Sequence, residues 1–182
     1  MGYALAEAAI AAGAEVILVS GPTALPVPFG VEHVGVETTQ EMYDAVRRRF
    51  ERIDCLIMAA APADFTPTAP KSRKIKKGEG GLDLPLKPTI DILARMGALK
   101  KRQVLVGFAL ETNDGVANAR KKLTAKKLDL IVLNSPHDPN SAFDFDTNQV
   151  TIIRPGYKPE AWPLLQKHEV AAKLLGVVTE LL

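Results

Sequence analysis

Three features of the sequence predict an α/β domain built on a parallel sheet with helices on both faces. Short, continuous apolar runs such as Val16-Ile17-Leu18-Val19 read as strands buried on two sides. They alternate with segments of helical period, the order that joins parallel strands through crossover helices. The length of 182 residues suits one domain, residues 1–182, with a core of ordinary size. No internal repeat and no linker divides it.

The elements follow in order. Tyr3 to Ala12 is rich in Ala and Leu and stops at Gly13, a helix terminator. Glu15 to Ser20 is the first strand. Gly21 to Gly30, with Pro22, Pro26 and Pro28, is loop. Val31 to Val36 is a second strand. Thr38 or Thr39 caps a helix from Gln40 to Phe50, with Met42, Val46 and Phe50 on one stripe. Ile53 to Ala60 is a third buried strand, and Ala61 to Lys77 a long loop rich in Pro and Lys. A helix from Ile90 to Leu99, a strand from Gln103 to Ala109, a basic helix from Val116 to Lys127 and a strand from Leu128 to Leu133 come next. After a polar loop, Asn148 to Ile153 is a strand, and Lys167 to Leu182 closes the chain as a helix with Val170, Leu174 and Val177/Val178 on its apolar side. The segment Arg154 to Trp162 fits no pattern. The sum is a Rossmann-like parallel sheet in three layers. Such a domain normally opens with a strand and a glycine-rich turn. Here the sequence opens on the helix, so the expectation is a sheet without its usual first strand, or residues that belong before Met1.

Composition narrows the function classes. With 47% hydrophobic and 24% charged residues and a formal charge of +2, the chain is unlike disordered, collagenous or disulfide-rich proteins. Near-neutral charge makes no general case for nucleic acid. No stretch approaches the ~18 apolar residues of a membrane span. The apolar run Gly2 to Ala12 lacks the basic leader of a targeting segment. Met1-Gly2 is followed by Ala6 where a myristoylation motif wants Ser or Thr. Cys55, the single cysteine, sits in Cys55-Leu56-Ile57-Met58 and is expected to be a core thiol in a reducing, cytoplasmic setting. His33, His137 and His168 are scattered without metal-ligand spacing. There is neither a Gly-x-Ser-x-Gly elbow nor a P-loop, and the acidic loop Asp138 to Asp146 lacks calcium-loop spacing.

Ligands of open α/β sheets bind beyond the carboxyl ends of the strands. That rule selects Ser20-Gly21, Ala59 to Lys77, Gly107 to Thr112, and Asn134 onward. Met58-Ala59-Ala60-Ala61-Pro62-Ala63-Asp64 puts small side chains at a strand end, where a flat ligand can approach the backbone, and leaves Asp64 as a lone acceptor. Tight strand–helix packing with a solvated Asp64 is the plainer account. Lys71 to Lys77 carries five cations and no acid and runs into Gly78-Glu79-Gly80-Gly81. Such a loop can fold over a polyphosphate, although a single charge run is usually a solvated surface. Arg120, Lys121, Lys122, Lys126 and Lys127 form a second group, with Lys122 and Lys126 on one helix face. Two clusters at one sheet edge favour an anionic ligand more than either alone.

Three classes stay open on these residues. A nicotinamide-dependent oxidoreductase is the default for such a sheet, but the first strand ends Val19-Ser20-Gly21 without the ribose-binding acid, and no Tyr-x-x-x-Lys pair exists. A ligase or transferase using a nucleoside triphosphate would read the nucleoside through Asp64 and close the lysine loop over phosphates. A non-catalytic interaction domain would use both clusters only for solubility.

The motifs resemble those of the phosphopantothenate–cysteine ligases, which form the C-terminal half of a bifunctional coenzyme A biosynthesis flavoprotein in most bacteria. Six segments carry the resemblance in order: Leu18-Val19-Ser20-Gly21-Pro22; the alanine run ending at Asp64; Lys74-Ile75-Lys76-Lys77; Asp91-Ile92-Leu93; Gly107-Phe108-Ala109-Leu110-Glu111-Thr112; and Lys126-Lys127-Leu128-Asp129 through Asn134. The resemblance implies a two-step reaction in which 4′-phosphopantothenate is activated by CTP as an acyl-cytidylate and cysteine then displaces CMP. It implies Mg2+ carried with CTP, no flavin in this domain, a cytoplasmic homodimer, and a decarboxylase domain upstream. By residue, it implies that Lys74 assists acyl-cytidylate formation. It also implies that Met58, Ala59, Ala60, Asp64, Ile90, Asp91, Ile92, Leu93, Phe108, Lys122 and Lys126 meet the nucleotide, with no protein-held metal. The family often has proline where this chain has Ile90. The family's first strand and its Asn/Ser/Gly loop, with an asparagine used in the second half-reaction, fall before Met1. This polypeptide alone is therefore expected to bind nucleotide weakly, to turn over poorly or be silent, and to be less stable.

Overall fold

The structure is a computed structural model that describes residues 1–71, 73–76, 81–111, 113–134 and 145–182. Ser72, Lys77, Gly78 to Gly80, Thr112, His137 and the acidic loop as far as Asp144, all part of the segments discussed above, lie outside the described residues. In chain order the elements are α1 (Gly2–Ala11), β1 (Ile17–Ser20), β2 (Glu32–Gly35), α2 (Thr39–Arg49), a 3-10 turn (Phe50–Arg52), β3 (Cys55–Met58), β4 (Phe65–Pro67) and β5 (Leu86–Pro88). Then come α3 (Ile92–Leu99), β6 (Val104–Leu110), α4 (Gly115–Ala125), β7 (Leu130–Asn134), β8 (Thr147–Asn148), β9 (Val150–Ile153), β10 (Glu160–Ala161), β11 (Leu165–Gln166) and α5 (Lys167–Thr179).

The main sheet has the order β10-β9-β7-β6-β3. β3, β6 and β7 are parallel, in register Met58↔Gly107 and Leu110↔Asn134. Side chains alternate along these strands, and the alternation builds three layers. Leu105, Ala109, Ile131, Leu133 and Ile153 face a core shared with α2, α3 and α4, through residues such as Met42, Val46, Leu93, Met96 and Leu123. Val104, Val106, Leu130, Val132, Val150 and Ile152 face the opposite core, with Leu5 of α1 and Val170, Ala171, Leu174 and Val178 of α5.

The expectation of a wholly parallel sheet is corrected at one edge. β9 runs antiparallel to β7, and β10 antiparallel to β9. A parallel return needs a crossover element, and the polar stretch after Asn134 has no helical period. β1 and β2 form a separate parallel ribbon, Ile17↔Glu32 to Ser20↔Gly35. Among the described residues β1 and β3 are each paired on one side only. The ribbon is held by side chains: Val19 and Val36 pack on the α2–α4 core, and the Tyr3 hydroxyl lies 3.2 Å from Ser20 Oγ.

Local chemistry sets the boundaries. Gly13 ends α1 with φ 83, a conformation glycine adopts without strain. Thr38, rather than Thr39, caps α2: its Oγ1 accepts from Glu41 N, and Glu41 Oε2 accepts from the Thr38 and Glu37 amides, a reciprocal capping box. Those backbone hydrogen bonds hold the Glu41 carboxyl below its usual range. The loop expected from Ala61 to Lys77 contains one arm of an antiparallel ribbon, β4 with β5, paired Phe65↔Pro88 to Pro67↔Leu86. Its prolines mask it in the sequence, because proline is excluded from central strands yet tolerated in an isolated edge pair.

Arg154 to Trp162 is a structural clasp. Gly156, φ 77, turns the chain so that β10 folds back on β9. Arg120 donates to Tyr157 O at 2.9 Å, and the Arg154 guanidinium sits 4.5 Å from the Tyr157 ring centroid. Trp162 is buried under α5, its Nε1 donating to Glu160 at 2.7 Å and Lys173 lying over its ring.

Cys55 is a half-buried thiol on β3, packed against the α1–α5 core as expected. Burial, and secondarily the charges of Asp129 and Asp54, push its pKa up to about 12. The thiolate is the reactive form. The folded protein is therefore expected to resist iodoacetamide at pH 8 while the urea-unfolded chain is labelled; equal labelling of both would contradict the packing. No helix among the described residues is long and apolar enough to cross a membrane.

Candidate functional site

β3, β6 and β7 end at one edge of the sheet, and the residues singled out in the sequence gather there from both sides. Beyond β3, Ala59 is half-buried on the α1–α5 side, while Ala60 and Asp64 are exposed. The alanine run is stitched to the approach of α3: Thr89 N donates to Asp64 O at 2.9 Å and Thr89 Oγ1 to Ala63 O at 2.6 Å. Ile90 follows, half-buried on the α2–α4 core beside Met58. Phe108 faces the other core. Met58 and Ile90 thus flank the edge from one face, Ala59 and Phe108 from the opposite one.

Asp91 caps α3. Its Oδ1 accepts from Ala94 N at 2.9 Å, while Oδ2 is 2.8 Å from Lys126 Nζ. Partial burial raises this carboxyl, but the hydrogen bonds from Lys126 and Ala94 and the charges of Lys126 and Lys122 outweigh it and hold the pKa below the usual carboxylate range. Lys122 lies 2.5 Å from Glu111 Oε1, and Asn118 Nδ2 donates to Glu111 Oε2 at 3.3 Å. Glu111 is pinned at the end of β6 by its amide, which donates to Asn134 O. Asn134, at the tip of β7, keeps a buried Oδ1 without a partner among the described residues.

Three details differ from the expectation. Lys126 is the cap residue after α4, not a residue within it, and Lys127 takes a left-handed φ of 52 that turns the chain into β7. Ile92 and Leu93 are core residues, so only their backbone is available to a ligand. Lys74 is exposed on the excursion between β4 and β5, with no ion pair among the described residues. The root of that excursion, at Asp64 and Thr89, lies at the site's edge.

Two adjoining cavities lie at the ends of the β1–β2 ribbon, the smaller of them between the ribbon and the alanine run. One, of about 260 Å³, is lined by Gly21, Val36, Thr38, Met42 and Ala60 to Ala63. The other, of about 700 Å³, is lined by Tyr3, Ser20, Gly21, Val36 and Glu37 among others. The strand-end rule had marked Ser20-Gly21; applied to the end of β2 it would also have found Val36 to Thr38. The acceptors Glu111 and Asn134 were visible only as parts of motifs. At the end of β1, Ser20 Oγ lies 3.2 Å from the Tyr3 hydroxyl and donates to Gly21 O at 2.9 Å.

An open sheet with parallel central strands, both faces covered and polar groups gathered at the carboxyl edge defines a Rossmann-type α/β domain. The solved C-terminal domain of the coenzyme A biosynthesis bifunctional protein CoaBC superposes with a TM-score of 0.81 at 40% identity, over 97% of this chain and 79% of that one. The chain belongs to the family described as DNA/pantothenate metabolism flavoprotein C-terminal domain, whose pattern matches residues 1–182. The coenzyme A biosynthesis bifunctional protein CoaBC of Bacillus subtilis (strain 168) is 47% identical over 183 residues, covering 100% of this chain and 45% of the relative. A cysteine/cysteine sulfinic acid decarboxylase from an unknown prokaryotic organism is 46% identical over 100% of this chain and 51% of its own length. The chain therefore spans about half the length of these curated relatives.

Proposed function

We propose that this chain is the ligase domain that joins 4′-phosphopantothenate to cysteine in coenzyme A biosynthesis. The observation that carries the reading is the convergence of Asp64, Asp91, Lys122 and Lys126 on one sheet edge, stitched by the Thr89 and Lys126 contacts, in a chain of this family. In the first step a substrate carboxylate oxygen attacks the α-phosphorus of CTP, and the bond to pyrophosphate breaks. In the second the cysteine amine attacks the acyl carbon, its proton passes to water and CMP leaves. Lys122 and Lys126 neutralise charge on the phosphates, Asp64 accepts from the nucleoside, and Lys74, brought in on its loop, stabilises the charge that develops at the α-phosphate. Mg2+ enters as part of the nucleotide substrate; no three His, Cys, Asp or Glu side chains among the described residues gather to hold a metal.

The same reading places the protein in the cytoplasm as a homodimer, the exposed apolar side chains Phe65, Leu82, Leu84 and Leu86 of the β4–β5 arm being its contact surface. A decarboxylase domain lies upstream in the longer polypeptide. A strand and an Asn/Ser/Gly loop from upstream residues complete the sheet between β1 and β3.

The direct test is pyrophosphate and CMP release by the full-length protein with CTP, 4′-phosphopantothenate and cysteine, with ATP as the competing nucleotide. Dependence on all three substrates is expected; stabilisation by NADPH alone, with no turnover, would replace this reading with an oxidoreductase. Asp64→Ala is expected to weaken CTP binding roughly tenfold, the loss of one charge-assisted hydrogen bond. Unchanged affinity by calorimetry would remove Asp64 from the site.

A further inference from the structure

The two site lysines are not idle. Each is held by a carboxylate from another element, Lys126 by Asp91 at 2.8 Å and Lys122 by Glu111 at 2.5 Å. Lys122 and Lys126 are four residues apart, so the two pairs are neighbours and the four groups are formally neutral together. A triphosphate with ~4 negative charges gains little from a neutral cluster. It gains when the lysines leave their carboxylates.

The two pairs are built differently. Asp91 is committed to the cap of α3, so its removal would damage a helix. Glu111 caps no helix among the described residues. Its side chain is 15% exposed against 47% for Lys122, so the carboxylate is the fixed partner and the ammonium the movable one. Its second oxygen accepts from Asn118, four residues before Lys122 on the same face of α4, and its amide is bonded to β7.

Resting on the ligase reading, we infer that Glu111 is a positioning residue that competes with phosphate for Lys122. It holds the lysine at the sheet edge in the empty site, releases it to the incoming triphosphate, and takes it back as pyrophosphate departs. No covalent bond changes; one ammonium exchanges between two anions.

The consequence is unusual for a site residue: removing its charge should tighten binding. In the full-length protein, Glu111→Gln keeps the size and one acceptor oxygen, which can still take the Asn118 bond, while its NH2 cannot accept from Lys122. It is expected to bind CTP and pyrophosphate roughly three- to tenfold more tightly by calorimetry, and to be inhibited by pyrophosphate at correspondingly lower concentration. Glu111→Asp, which keeps the charge, should stay near the parent. In a Lys122→Ala background the Gln substitution should change little, because the contested group is gone. Equal or weaker binding by Glu111→Gln overturns the inference, as does the same gain without Lys122. A parent protein that binds neither CTP nor pyrophosphate fails at the earlier step and overturns the ligase reading itself.

Discussion

Lys74→Ala in the full-length protein stops pyrophosphate release from CTP and 4′-phosphopantothenate while leaving CTP binding nearly intact. The expected loss in kcat is about a hundredfold or more, the usual scale for removing a group that stabilises charge only in the transition state. The separation of kcat from affinity follows from the structure. Among the described residues Asp64, Lys122 and Lys126 make no hydrogen bond or ion pair with Lys74, so on the proposed reading CTP binding does not depend on Lys74. Lys74→Arg keeps the charge but not its compact placement, and should recover only part of the rate. Pyrophosphate release by Lys74→Ala at the parental rate would take this lysine out of the mechanism.

Gly97→Ala is expected to give the largest loss of stability. A Cβ at Gly97 would lie 1.9 Å from Lys126 O and 2.9 Å from its carbonyl carbon. No rotamer relieves a clash with backbone, so α3 and the turn after α4 must separate. The better helix propensity of alanine returns ~1 kcal/mol; the forced repacking of Met96 and Leu93 costs more, for a net loss of about 3 kcal/mol. The damage also reaches the proposed site, because Lys126 Nζ pairs with the Asp91 cap of the same helix. Denaturant titration and a thermal melt give the measurement; a midpoint within about 2 °C of the parent would show that the contact yields easily.

The helices and central strands were legible in the sequence because burial on known faces imposes their period: Leu105, Ala109, Ile131 and Leu133 face one core while Val104, Val106, Leu130 and Val132 face the other. The β4–β5 ribbon was not, because Pro67, Pro85 and Pro88 carry the signature of a loop and only the pairing partner shows otherwise. The antiparallel edge was hidden for a related reason, since strand direction depends on how the chain returns. At the site, strand-end position singled out the alanine run with Asp64 and marked the range Gly107 to Thr112, whereas Phe108 itself came from the family resemblance. The acid partners of the lysines were out of reach: Asp91 and Lys126 are 35 residues apart, and nothing local in either segment announces that α3 and α4 end side by side. The same holds for Gly97, unremarkable in sequence and indispensable only because a carbonyl from another element lies against it.

The β1–β2 ribbon meets the rest of the molecule through side chains, with no ladder of backbone hydrogen bonds to β3 among the described residues. Packed contacts of that kind slide at far lower cost than a sheet tears. Among the described residues the wall formed by Gly21 and Val36 is joined to the wall formed by Ala60 to Ala63 by packing alone, and the proposed upstream strand would bond to both sides. The crevice is a jaw only while that gap stands open: with the proposed strand in place, both of its sides belong to one sheet.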